Sequence, residues 1–61
     1  MPNEWNEVTV EGEVFRWRIE GTLIVVRGRP GERKHAGLQA TQDPESIAEI
    51  VASELVQARR T

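Results

Sequence analysis

Hydrophobic and polar positions alternate from Val14 to Ile19, with Phe15, Trp17 and Ile19 on one side and Val14, Arg16 and Arg18 on the other. Period two is the signature of a strand with one buried and one wet face. From Thr22 to Val26 the chain is apolar and mostly β-branched, which predicts a covered, central strand. Glu20 and Gly21, between the two runs, read as the turn of a hairpin. Upstream, Trp5 to Val10 predicts a first strand, with Val8 and Val10 on one face and Trp5, Glu7 and Thr9 on the other. A two-residue turn at Glu11-Gly12 then pairs Val8 with Phe15, Glu7 with Arg16 and Trp5 with Arg18. On the outer face this register expects an ion pair between Glu7 and Arg16 and a stacked pair between Trp5 and Arg18, each worth under about 1 kcal/mol when exposed.

The second turn leaves two registers. Glu20 and Gly21 form a type I′ turn, or a type I turn with Gly21 in the bulge position. One choice sends Leu23 and Val25 into the core beside Phe15 and Trp17, and the other sends Ile24 and Val26. Either way an apolar pair remains on the outer face near Arg16 and Arg18, and a monomer of this size is expected to have nothing left to cover it.

Strands are thus expected at about 5–10, 13–19 and 22–27, with a weaker fourth over 35–41, where Gly37 and the alanines dilute the pattern. Asp43-Pro44-Glu45-Ser46 opens a helix running to about 59. Asp43 is expected to cap the free amides, proline suits the first helical position, and Glu45 complements the positive end of the dipole. Arg59 and Arg60 fall at the negative end. On the helical wheel Ile47, Ile50, Val51, Leu55 and Ala58 form the core stripe, Ala48, Ala52 and Val56 widen it, and Glu54 lies inside the apolar arc. Pro2 and Asn3 read as a loose start.

The fold class is therefore α+β, an antiparallel β-meander of three or four strands with one C-terminal α-helix across one face, in a single small domain over 1–61. Phe15, Trp17, Val8, Ile47, Val51 and Leu55 are the expected core.

Composition narrows the chemistry. A 61-residue chain buries only about 60% of the surface it exposes when unfolded, so it needs support from disulfides, metal or self-association. Cysteine is absent and His35 is the one histidine, which leaves self-association. No run approaches the roughly 18 apolar residues of a membrane span, and the first residues lack the basic and apolar regions of a signal peptide. The expectation is a cytoplasmic protein with no membrane partner. With a net charge of −2 and 30% charged residues, there is no global field to attract nucleic acid, so any such role is local.

Catalysis is poorly supplied. Ser46 and Ser53 lie on the polar helix face without a base, His35 is expected in a loop beside Lys34, and Glu54 is expected to snorkel to the edge of the arc or to pair with an arginine from the sheet rather than to act as an acid. The expectation is a non-enzyme with no catalytic residue, cofactor or metal.

The most basic stretch is Arg27-Gly28-Arg29-Pro30-Gly31-Glu32-Arg33-Lys34-His35. Its first four residues resemble the core of the AT-hook, which lays an extended Arg-Gly-Arg into the minor groove of A·T-rich DNA. The resemblance implies groove contact by Arg27 and Arg29 through close backbone approach at Gly28; the plain reading is a solvated basic loop. In layout alone, strands followed by a helix are similar to the sheet-reading DNA-binding domains of some plant transcription factors and phage integrases. That likeness implies that Arg16, Arg18 and Trp5 reach a groove from the sheet face. Against these stands the small-residue ridge of Ala48, Ala52 and Val56, which admits a close partner helix.

The sequence therefore points first to a small non-catalytic binding or accessory module. It would act through a protein interface at Ala48, Ala52 and Val56, with a second copy of itself as a natural partner. The alternative is a nucleic-acid binder using Arg16, Arg18, Arg27, Arg29, Arg33 and Lys34.

Overall fold

The computed structural model describes residues 4–60, so the Pro2-Asn3 start lies outside the described residues. Four strands, β1 (Asn6–Val10), β2 (Glu13–Glu20), β3 (Leu23–Arg27) and β4 (Arg33–Gly37), precede one helix, α1 (Pro44–Arg59). The strands pair in chain order as an antiparallel meander, and α1 packs across one face of the sheet. This is the predicted α+β architecture.

The first hairpin has the expected register, with Val8 opposite Phe15 and Glu7 opposite Arg16. Glu11 (φ 51) and Gly12 (φ 79) both take left-handed conformations, as a two-residue type I′ turn requires. The second turn lies one residue later than expected. Glu20 pairs with Leu23, so the turn is Gly21-Thr22, and only Gly21 has a positive φ, of 63°. That is the pattern of a type II′ turn, with glycine first. Ile24 and Val26 accordingly face the core with Phe15 and Trp17, one of the two arrangements weighed from the sequence.

The fourth strand is Arg33–Gly37 rather than 35–41. Its position is set by the turn before it, where the Glu32 amide donates to the Arg29 carbonyl at 2.8 Å and Gly31 has φ 89°. Proline and glycine at the two central positions make this a type II turn. Because β4 is an edge strand, it tolerates the charges of Arg33 and Lys34 that made the stretch read as a loop.

The core holds Val8, Val10, Phe15, Trp17, Ile24 and Val26 from the sheet and Ala48, Val51, Ala52 and Val56 from the helix, with Ala36, Ile47 and Leu55 packed at its margin. Each large side chain buried here contributes about 1.5–3 kcal/mol. The buried helix face is thus rotated from the predicted stripe: Ile50 is 55% exposed, while Ala48 and Ala52 are fully buried. Small residues at the seam bring the helix axis close to the sheet, and the larger Ile47 and Leu55 straddle it. The helix begins at Asp43 without a side-chain bond to a free amide; its carboxylate accepts instead from the Ser46 hydroxyl at 2.9 Å.

Candidate functional site

The face of the sheet away from α1 follows from the register. In antiparallel pairs, directly opposed residues share a face, and Phe15, Trp17, Ile24 and Val26 point to the helix. Their neighbours Val14, Arg16, Arg18, Val25, Arg27, Arg33 and His35 therefore point the other way. Arg16 pairs with Arg27 and Arg27 with Arg33. Three arginines thus lie side by side across β2, β3 and β4, all exposed. Glu7 faces Arg16 at the β1 end of this row, but among the described residues the expected ion pair between them does not form.

A second row holds Arg18, Val25 and His35. The expected Trp5 stack is present, with the Arg18 guanidinium carbon 4.6 Å from the indole centroid, and Arg27 approaches the same ring at 5.5 Å. Val25, opposite Arg18 and two residues before Arg27 on β3, is 1% exposed. One member of the outer apolar pair is thus covered by the chain itself; the other, Leu23, is 43% exposed.

The remaining cations are engaged. The Arg18 Nε donates to Glu20 at 2.7 Å, Arg29 lies 3.4 Å from Glu13, and Glu54 pairs across to the sheet as expected, though with Lys34, at 3.7 Å, rather than with an arginine. Arg59 folds back from the last helical turn to form a two-carboxylate clamp. It donates to both Glu13 oxygens at 2.7 Å and to Glu32 Oε2 at 2.6 Å, with its guanidinium 5.4 Å from the Phe15 centroid. Hydrogen bonds from Arg59 hold the Glu13 carboxyl below the usual range and lower that of Glu32 to about 2. This cluster ties helix end, β2 start and β3–β4 turn together. Among the described residues, Arg16, Arg27 and Arg33 form no ion pair with a carboxylate.

Between Trp5 and Val14 on one side and the turn Gly28–Glu32 on the other lies an open recess of about 390 Å³, with Arg16, Arg27 and Arg29 on its wall. The Arg27-Gly28-Arg29-Pro30 segment that resembles an AT-hook is not extended. Gly28 donates to the Glu32 carbonyl at 3.3 Å, and the Arg29 amide donates to Glu32 Oε1 at 2.8 Å. The segment is a folded turn, and Gly28 is required where a Cβ would stand 2.8 Å from the Phe15 ring.

Of the residues singled out in the sequence, Arg16, Arg18, Arg27 and Arg33 share the outer face, Arg29 borders it, and Lys34 lies on the helix side. The supposed interface ridge fares differently. Ala48, Ala52 and Val56 are 0%, 0% and 7% exposed, because they form the seam between helix and sheet. The ridge is occupied by the chain's own strands. His35 sits in β4, not in a loop. Sequence reasoning missed the arginine row because it requires the position of β4, and it missed the Arg59 clamp because three distant segments meet there. Among the described residues no group of three His, Cys, Asp or Glu is placed to hold a metal ion, and no described helix is long and apolar enough to cross a membrane.

In comparisons with protein-family models, curated proteins and solved structures, nothing matches this chain. What can be said of its class rests on the fold and this face: a small α+β domain with a basic, aromatic-bearing sheet surface left open by its helix.

Proposed function

We propose that the protein is a non-catalytic binding module that presents its open sheet face to nucleic acid. The observation that carries this reading is the Arg16–Arg27–Arg33 row. Like charges directly opposed across strands are destabilising, and a polyanion is the partner that turns such a row from a cost into an attraction. The net charge of −2 is unevenly placed: Asp43, Glu45, Glu49 and Glu54 lie on or at the start of the helix, while on the open sheet face Arg16, Arg18, Arg27 and Arg33 outnumber Glu7 and Glu20. The protein-interface reading has lost its ridge and retains Val14 and Leu23, 52% and 43% exposed, as apolar positions on the same open face.

The test is fluorescence anisotropy of a labelled oligonucleotide of mixed sequence, titrated with protein at low and at physiological salt. Binding that weakens with log salt at a slope between about −1.4 and −2.7, the range for two or three phosphates neutralised on a single strand or a duplex, supports the proposal. Absence of binding at low salt overturns it. Sedimentation of the free protein at the same concentration separates this result from self-association.

A further inference from the structure

We infer that the nucleic acid this face accepts is single-stranded, with one unpaired base seated in the recess beside Trp5. This rests on the nucleic-acid reading above and goes further, naming the strand state of the partner and the residue that distinguishes it.

Three observations point there. The first is the width of the free basic surface. Arg18, Arg29 and Lys34 are each held by a carboxylate, so the cations without an ion pair among the described residues of the sheet are Arg16, Arg27 and Arg33, in a single line. Adjacent strands lie about 4.8 Å apart, so the line spans roughly 10 Å between its outer Cα atoms. One line serves one sugar-phosphate backbone crossing the strands. A duplex presents two backbones separated by a major groove about 12 Å wide, and beyond the row the second would meet Glu20 on β2.

The second is the recess. Its volume of about 390 Å³ lies within the range of sites that hold a small planar group. Trp5 and Val14 supply apolar walls and Arg16, Arg27 and Arg29 a charged rim, the pairing of a base face with its own phosphate. A base stacked and paired inside a duplex does not enter such a recess. An unpaired one does, and stacking on an aromatic ring contributes enough to matter for a single nucleotide.

The third is that Trp5 is already held in place. Arg18 and Arg27 both lie against its ring, and Arg27, the more distant of the two and the one that lines the recess, is the group a stacking base would displace. The indole is thus positioned before any ligand arrives, so little ordering entropy is lost on stacking.

Intrinsic tryptophan fluorescence and anisotropy together test the inference. Trp17 is buried in the core, so a change on titration reports Trp5. The probes are a labelled thymidine oligonucleotide of about ten residues, within the span of common single-strand sites, and a duplex of the same number of phosphates, at the same low salt. The expected result is about tenfold tighter binding of the single strand, with quenching of Trp5. Trp5→Leu should remove both the preference and the quenching, while Trp5→Phe keeps the preference. Trp5→Phe also guards against misreading a loss of folding in Trp5→Leu. Equal or tighter binding of the duplex, or single-strand binding with no change in Trp5 emission, overturns the inference and leaves the nucleic-acid reading standing. Failure of both probes to bind overturns both.

Discussion

Gly28 lies against the ring of Phe15 so closely that a Cβ on it would stand 2.8 Å from Phe15 Cε2 and 2.5 Å from Glu32 Oε1. Phe15 is fully buried and cannot move aside. The glycine that resembles the centre of a DNA-binding tetrapeptide therefore has a packing role.

Gly28→Ala should destabilise the fold by about 1–3 kcal/mol, the usual consequence of forcing an atom into a filled core. Gly37→Ala, where a Cβ meets nothing within 4 Å, is the control and should change stability by less than about 0.5 kcal/mol. Urea denaturation of the two variants and the parent measures the difference.

The Arg59 clamp predicts a particular acid response. Glu32 has its carboxyl lowered from 4.5 to about 2 in the folded chain by hydrogen bonds from Arg59 and from the Arg29 amide. An unfolded Glu32 takes up its proton near 4.5, and the folded one resists until about 2. Its contribution is therefore complete above about pH 4.5 and is lost as the pH falls through about 2. Glu13, lowered by the same guanidinium, adds to the effect with the same sign. Glu32→Gln should flatten the dependence of the urea midpoint on pH between 5 and 2, and Arg59→Met should flatten it further.

Helix substitutions separate the wheel from the structure. Ala52→Glu places a carboxylate where there is no exposure and should abolish cooperative folding of the free protein, since an unpaired buried charge costs several kcal/mol. Ile50→Glu, at a position 55% exposed, should be tolerated within about 0.5 kcal/mol. Circular dichroism with thermal melts reads both.

The arginine row sets stability against binding. Arg33→Gln removes one like-charge opposition and should stabilise the free protein by a few tenths to about 1 kcal/mol at low salt, a gain that fades as salt screens the row. The same variant should bind an oligonucleotide more weakly, with a salt slope shallower by about 1. Stabilisation together with unchanged binding would mean that the row is not the contact surface.

The order of elements and the first hairpin were legible because Glu11-Gly12 sits between two runs whose alternation agrees on one register. The second hairpin was offset because glycine was read as the second turn residue, whereas Gly21 is the first and Thr22 completes the turn. Arg33-Lys34-His35 was hidden as a strand by its charge, which an edge accepts and an interior strand does not. A helical wheel weighs residues by size and so points to the wrong face. Against a sheet the close approach is made by the smallest residues, here Ala48 and Ala52. The stack of Arg18 on Trp5 follows from the first register alone. The row of three arginines needed all three hairpins at once.

Four carboxylates on or at the start of the helix, and a sheet face where four arginines outnumber Glu7 and Glu20, give the molecule an uneven charge distribution despite its small net charge. In the field of a polyanion it experiences a torque as well as a force, and it turns its sheet forward while still beyond contact range, within about 10 Å at moderate salt. Orientation would then be settled during approach, so that a larger share of encounters begin with the arginines leading.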